Sequence, residues 1–386
     1  MTSPLYTRAF WIACAIHVTG GMSLAMFLLF PLFVRRLGGS SVAIGLLLGA
    51  GEAASVAARP LVGLALDRFG RRRVLLWANG LNAASFLPFL ALGRLGPWLL
   101  AATVVHCVLW GALFASYFTY AADLVPPGRR AEGIAVFGAA GMLTNGLGPS
   151  LGEVVIARAG FSAFFLTAAG FALLSFSLTL AVPVPPATSA AGGATGRWRA
   201  LADGALARVL LATVVFGMGV NAAFFFVAPF TRDLGLARAA PFFAAYATTS
   251  IVLRLVGRRL LDRVEPHRVA IPAFACIGAG LGLLCLLPRP GVLVLAGVVC
   301  GAGHGSLFPV LNALAIERAP ARLAGTAVSL LTAASDLGAV LGTPVCGALA
   351  EGVGYRGMFA LLGATTLGGL GVMAVDRAIA PRPAEG

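Results

Sequence analysis

The sequence has 386 residues, of which 59% are hydrophobic and only 11% are charged. Soluble domains carry about 25% charged residues, so this composition excludes a soluble globular protein and places most of the chain in lipid. The net charge of +14 comes entirely from arginine, and the arginines fall in short connections, which argues against nucleic-acid binding. The six cysteines lie in apolar runs without ligand spacing, so we expect no metal site and no cofactor.

Apolar runs of about 20 residues, the length that crosses a bilayer as a helix, recur along the chain. Clusters of Gly, Pro and Arg separate these runs, and the runs are too long and too uniform to be strands. The first run exceeds the core of a signal peptide, so we predict a retained helix there. The twelve predicted transmembrane helices are 9–34, 42–66, 73–93, 97–122, 131–156, 161–182, 207–231, 239–261, 268–287, 290–315, 323–349 and 355–376.

A long polar connection at 183–206, rich in Pro, Ala, Gly, Ser and Thr, divides these helices six and six. We therefore predict an N-terminal bundle at 1–182, a linker and a C-terminal bundle at 207–386. Eighteen arginines lie on the side of the membrane that carries the termini and the linker, and eight lie on the other side. Since arginine-rich connections stay in the cytoplasm, both termini are predicted to be cytoplasmic.

The two halves also resemble each other in sequence. Arg59 stands eight residues before Asp67, and Arg254 stands eight residues before Asp262, in both cases within a similar Leu-Val-Gly context. A second similarity links the Pro-Gly-Arg-Arg stretch at 127–133 to 320–325, so the repeat spans about 192–195 residues. Repeats of six helices are typical of duplicated transporters.

The connection after the second predicted helix carries an Asp-Arg pair, a glycine turn and three consecutive arginines. Its defining residues are Gly63, Asp67, Arg68, Gly70 and Arg71. Their spacing resembles the loop signature G-x-x-x-D-R-x-G-R of the major facilitator superfamily (MFS). The simpler alternative is a generic basic turn.

The MFS resemblance spans essentially the whole chain and implies an all-α membrane protein of two six-helix bundles in a bacterial inner membrane. It also implies a gate at the cytoplasmic face. When that face is closed, Asp67 would meet the start of the eleventh helix near Ala324–Gly325 and either Arg129 or Arg130. The second copy of this hairpin has lost the basic turn, so the gate is expected to be asymmetric.

The fifth predicted helix contains Gly148, Pro149 and Gly152, which partly resemble the helix-5 motif of MFS drug/proton antiporters. Pro344 lies at the corresponding place in the eleventh helix. Proline removes a backbone hydrogen bond and glycine lets helices approach closely. These residues therefore predict either helix bending or close packing without a role in motion.

Ionisable residues inside a bilayer are costly and are candidates for function. Asp336, near the middle of the eleventh helix, and Glu52, deep in the second, are the candidates for proton coupling. Asp336 has two alternatives, a structural hydrogen bond or a substrate contact. Arg59 lies two helical turns from Glu52 and is expected to pair with it or, like Arg254, to extend to the cytoplasmic surface.

Several polar residues on predicted helices are candidates for a substrate cavity, although single histidines in helices are often structural. Many MFS antiporters have an arginine in the fourth helix, but Thr103 stands near that place in this chain. The cavity or substrate candidates are Arg59, His106, Asn145, Asn221, Arg254 and His304.

These features predict a secondary active transporter that moves a small molecule by alternating access, with proton-coupled efflux as the preferred direction. The chain resembles the arabinose-efflux and drug-efflux branch of MFS, and it lacks the nucleotide-binding and catalytic motifs of enzymes. We expect a monomer in the lipid bilayer, with protons and a small molecule as its partners. The alternatives are an uptake permease for a sugar or organic anion, and a membrane scaffold without transport activity.

Overall fold

A computed structural model describes residues 5–126, 129–182, 204–261, 264–289, 291–319 and 323–379. One long helix, Arg130–Leu180, is divided at Gly160, where the backbone is not helical, and we count its two parts as α5 and α6. The helices are α1 (Arg8–Arg36), α2 (Ser41–Phe69), α3 (Arg71–Ala91), α4 (Pro97–Leu124), α5 (130–159), α6 (161–180), α7 (Gly204–Asp233), α8 (Ala240–Leu261), α9 (Pro266–Leu284), α10 (Val292–Glu317), α11 (Ala324–Gly352) and α12 (Gly354–Ile379).

Within the described ranges, ten helical stretches are long and apolar enough to cross a membrane, and one of them contains both α5 and α6. Ala240–Leu261 supplies one more helix, of which a shorter part, Ala240–Val256, is strongly apolar. The predicted all-α membrane architecture is therefore confirmed. The predicted linker at 183–206 lies almost entirely outside the described residues, since α7 begins at Gly204.

Local sequence signals explain several helix boundaries. The Ser40 side chain accepts a hydrogen bond from the Ala43 backbone N–H and caps α2. Gly70 connects α2 to α3 with a φ of +83°, and Gly160 connects α5 to α6 with a φ of +76°. Both values are in the region that glycine adopts without steric cost, so these turns depend on glycine.

The two halves of the chain, α1–α6 and α7–α12, contact each other along two seams. In one seam α2 packs on α11, and in the other α5 packs on α8. Since α8 repeats α2 and α11 repeats α5 in the duplicated sequence, the two seams correspond to each other. We call the end of the molecule that carries both chain termini the terminal end, and the opposite end the far end.

A buried carboxylate organises the terminal end of the second half. Asp376 of α12 is 0% exposed and accepts hydrogen bonds from Arg208 Nε at 2.9 Å and Arg318 Nη2 at 3.3 Å. The His267 Nε2 atom lies 2.9 Å from the same carboxylate. Three helices, α7, α9 and α10, are thereby joined to α12 by charged or polar contacts at one point.

Glycines allow the helices of the second half to approach backbone to backbone. A Cβ atom on Gly303 of α10 would lie 2.6 Å from the Ala273 carbonyl oxygen of α9. A Cβ atom on Gly305 would lie 2.9 Å from the Ser250 Cα atom of α8. Small residues of this kind are the usual means of helix association in membranes.

We expect Gly303→Ala to lower the free energy of unfolding by about 1–3 kcal/mol, because the added methyl group must displace backbone. The matched control is Gly282→Ala in α9, where a Cβ atom would meet no atom within 4 Å. That substitution should be neutral or stabilise the helix by up to about 1 kcal/mol. Thermal unfolding in detergent measures both, and equal effects of the two substitutions would contradict the packing described here.

Candidate functional site: a charged cavity between the halves

Polar contacts close the far end of the seam between α2 and α11 and join the neighbouring helices. The Ser41 backbone N–H, at the start of α2, donates to Glu351 Oε2 at 2.9 Å, and the Ser41 hydroxyl lies 3.1 Å from the Tyr355 hydroxyl. Arg35 of α1 forms an ion pair with Asp233 of α7 at the same end. Each contact links the first half of the chain to the second.

The seam between α5 and α8 is also closed at the far end. Glu153 of α5 accepts hydrogen bonds from the backbone N–H groups of Ala239, at 2.7 Å, and Ala240, at 3.0 Å. These N–H groups begin α8 and have no partner within the helix, so a carboxylate is a favourable acceptor for them. A Cβ atom on Gly146 would lie 2.9 Å from the Ala247 Cβ atom, which shows how closely the two helices pack.

Glycine and proline also shape the far end of the α2–α11 seam. A Cβ atom on Gly45 would lie 2.8 Å from the Thr343 carbonyl oxygen, and one on Gly347 would lie 2.5 Å from the Ser41 carbonyl oxygen. Pro344, predicted to bend α11, packs against Gly49. The backbones of the two helices therefore approach each other closely at this end.

The predicted helix-bending residues of α5 lie against α1 of the same half. A Cβ atom on Gly148 would lie 2.6 Å from the Ala25 Cβ atom, and one on Gly152 would lie 2.8 Å from Leu29 Cδ1. Pro149 lies within the helix between them. Their surroundings therefore support the close-packing interpretation, and a bending role stays a prediction.

A cavity of about 340 Å³ lies between the halves, on the terminal side of these closed contacts. Its wall takes residues from α1, α2, α4 and α5 of the first half and from α7, α8, α10 and α11 of the second. Seven of the residues predicted for coupling or substrate contact line it. They are Glu52, Arg59, Asn145, Asn221, Arg254, His304 and Asp336.

An ion pair between Arg59 of α2 and Asp336 of α11 joins the two halves at the cavity wall. The side chains are 34% and 22% exposed, respectively, so the pair is accessible from the cavity. Glu52 of α2 lies within electrostatic range of both residues. The sequence identified all three side chains, but it suggested Glu52 as the partner of Arg59, whereas the structure pairs Arg59 with Asp336 across the seam.

The histidines of the chain have different surroundings. His304 lines the cavity and contacts the Tyr246 hydroxyl through Nδ1. His106, predicted as a cavity residue, is fully buried elsewhere, with Nδ1 at 2.9 Å from the Ser85 hydroxyl and its ring against Phe27. His17 is at the cavity wall, with Nδ1 3.2 Å from the Phe137 carbonyl oxygen.

Aromatic side chains make up much of the remaining wall, and their role could not be assigned from the sequence. A helix in a membrane bundle is apolar all round, so its pattern does not distinguish the face that lines a cavity from the face that meets lipid. These cavity aromatics are Trp110, Phe114, Tyr117, Phe118, Phe216, Phe224 and Phe308.

The hairpin between α2 and α3 lies at the terminal end. The Asp67 side chain is 65% exposed and lies 3.9 Å from Arg71 Nη1 of the same hairpin. Arg71 also pairs with Asp123 of α4 at 3.1 Å, and the Arg68 guanidinium lies over the Phe69 ring. The structure therefore places Arg71 as a link between α3 and α4, and Asp67 at the surface.

Arg129, one of the two predicted arginine partners of Asp67, has a different partner in this conformation. Arg129 pairs with Glu132 of its own half at 2.8 Å. A Cβ atom on Gly63 would meet no atom within 4 Å, so nothing packs closely on it here. The side chains of Arg130 and of Ala324–Gly325, and the whole of Asp262, are outside the described part of the chain.

Known proteins of one family are similar to this chain over most of its length. The sequence profile of the Major Facilitator Superfamily matches residues 10–343 and, in a second match, 242–385. An MFS-type transporter of Pseudomonas aeruginosa is 28% identical over 374 residues, which cover 92% of this chain and 88% of the relative. A second MFS-type transporter, from Burkholderia mallei, is 29% identical over 371 residues, covering 89% and 84%.

Solved structures of transporters share the fold. A nucleoside transporter superposes with a TM-score of 0.78 at 13% identity, covering 97% of this chain and all of that one. A D-xylose-proton symporter gives 0.77 at 17% identity, with coverage of 94% and 96%. A human organic anion transporter gives 0.71 at 18% identity, with coverage of 95% and 100%.

Removing one partner of the Arg59–Asp336 ion pair should destabilise the protein. Because the pair is partly exposed, we expect Asp336→Asn or Arg59→Gln alone to cost about 1–3 kcal/mol, between the values for exposed and buried pairs. The double variant should recover most of that loss, since neither charge is then left without its partner. Thermal unfolding of the four proteins measures the coupling, and strictly additive losses would show that the two side chains do not interact.

Proposed function

This chain belongs to the major facilitator superfamily, and from that premise we propose that it is a proton-coupled exporter of a small molecule. Two six-helix bundles would expose a central site to each side of the membrane in turn. The ion pair between Arg59 and Asp336 carries the proposal, because it joins the two bundles at the wall of the cavity and contains a group that can take up a proton.

The arginine distribution supports an orientation with the terminal end in the cytoplasm of a bacterial inner membrane. In that orientation the closed far end faces outward, and the cavity lies on the cytoplasmic side of the closure. The conformation described here would then admit a substrate from the cytoplasm. This is the state from which an exporter begins its cycle.

A proton on Asp336 would cancel the charge that holds Arg59 and would remove a contact between the bundles. The free energy that favours this conformation would fall, so the alternative conformation would become more populated. Glu52, which lies within electrostatic range of both residues, provides a second carboxyl group for the same proton. Proton binding would thus be linked to movement of the bundles.

The hairpin at the terminal end would act in the opposite conformation. Asp67 is at the surface here, so its carboxylate is available to a helix N-terminus or an arginine when the cytoplasmic ends approach each other. The proposed partners are the start of α11 and either Arg129 or Arg130. Gly63 has open space beside it, which leaves room for such an approach.

Export driven by an inward proton flow is testable in inverted membrane vesicles. A substrate would first be identified by comparing compound accumulation in cells that lack or overproduce the protein. Vesicles with an acidic interior should accumulate that substrate, and a protonophore should abolish accumulation. Asp336→Asn should lose accumulation but retain exchange of substrate down its own gradient, because it removes the proposed proton-binding group while the rest of the cavity wall stays.

The matched control is Glu265→Gln, which removes a 39% exposed carboxylate that pairs with Arg377 outside the cavity. This variant should accumulate substrate like the unmodified protein. Accumulation that persists with the protonophore would contradict proton coupling. Accumulation in the opposite direction under the same gradient would contradict export and favour an uptake permease.

A further inference from the structure

The internal repeat places two arginines at corresponding points of the two seams. Arg59 on α2 and Arg254 on α8 each stand eight residues before an aspartate in their own half. Arg59 meets Asp336 of α11 across the first seam. Arg254 lines the cavity at the second seam, where α8 packs on α5.

The carboxylate of the first seam has no counterpart in the second. Pro149 of α5 and Pro344 of α11 are 195 residues apart, and the same interval takes Asp336 to Gly141. One turn earlier, a Cβ atom on Gly138 would lie 3.7 Å from Arg254 Nη1. A glycine therefore stands in α5 at the position that corresponds to Asp336, and another glycine of α5 lies beside Arg254.

The surroundings of Arg254 do not supply a counter-ion. Among the residues that the structure describes, Arg254 has no acidic group within ion-pairing distance, and its buried Nε atom has no hydrogen-bond partner. Two titratable groups interact electrostatically with Arg254, the Tyr246 hydroxyl and the His304 ring. A charge inside a membrane protein that has no counter-ion is costly, so this arrangement favours a bound anion.

Two arginines and two carboxylates line the cavity, and Arg254 is not paired with either carboxylate. Asp336 and Arg59 neutralise each other, and Glu52 interacts with that pair rather than with Arg254. When Glu52 holds a proton, the cavity carries one net positive charge, on Arg254. A monoanion would neutralise it, whereas a cation would add to it.

The remaining wall is suited to an apolar body rather than to a second charged group. Trp110, Phe216, Phe224 and Phe308 line the cavity, and its volume of about 340 Å³ is in the range that holds a small organic molecule. We propose that the cavity binds a small organic monoanion, with its acidic group on Arg254 and its apolar or aromatic body against these rings. This inference rests on the proposed function, because it takes the cavity as the substrate site.

The probe for this proposal is a set of three compounds of similar shape: naphthylacetate, its neutral amide naphthylacetamide, and the cationic naphthylethylamine. Ligands that bind only the folded state raise its melting temperature. The purified protein in detergent should be stabilised saturably by the anion and not by the amide or the amine. Sulfate alone should have no such effect, since it lacks the apolar body.

A matched pair of variants tests the role of Arg254 without removing it. Gly138→Asp would place a carboxylate beside the guanidinium and should weaken naphthylacetate binding at least about tenfold, or 1.4 kcal/mol. Gly138→Asn has the same size without the charge and should bind within about twofold of the unmodified protein. Arg254→Gln should abolish binding, and Arg94→Gln, in an exposed connection at the far end, should not change it.

Three outcomes would overturn the proposal: equal stabilisation by the amide and the anion, equal binding by the Asp and Asn variants at position 138, or no saturable effect of naphthylacetate. The Gly138 pair keeps the proposal testable if Arg254→Gln fails to fold. No proton gradient is present in these measurements. Loss of anion preference would therefore leave proton-coupled export intact, and failure of coupling in vesicles would leave the anion site intact.

Discussion

A charge without a partner is costly inside a membrane, and the ion pair between Arg59 and Asp336 avoids this cost by joining the two halves of the chain. Most ionic contacts of the described residues stay within one half, as do those of Asp376 and Arg71. Such contacts fix helices within a bundle. The Arg59–Asp336 pair instead joins the two halves, as Arg35–Asp233 does at the far end, and it alone of these two pairs lines the cavity. Under the proposed function, the relation between the bundles depends on the charge of Asp336.

The two seams correspond to each other in the duplicated sequence but differ in the charged residues that they place at the cavity. Both are closed at the far end by close helix packing and by a carboxylate that accepts backbone N–H groups, Glu351 in one and Glu153 in the other. At the cavity, Arg59 has its partner in one seam, whereas Arg254 has no counter-ion among the described residues in the other. Under the proposed function, the first seam serves proton binding and the second is left to bind an anion.

The sequence predicted the helices well because apolar length and Gly, Pro and Arg punctuation are local properties. It also identified Asp336, Arg59 and Glu52, since charge within an apolar run is conspicuous. It could not pair them, because the α2–α11 contact joins residues 277 positions apart, whereas the spacing within α2 suggested Glu52. The sequence placed His106 on a helix correctly, but it could not show which face of that helix His106 occupies. That face is set by packing against Phe27 and Ser85.

Under the proposed function, the charge of Asp336 controls the closure of the far end. Spin labels at Ala157 and Ala237, both exposed at that end, would measure the distance between the bundles in a variant without the six native cysteines. At alkaline pH we expect one short distance. In acid we expect a second, longer distance, and Asp336→Asn should show the same longer distance at alkaline pH. A distance distribution that Asp336→Asn leaves unchanged would contradict control of the closure by Asp336.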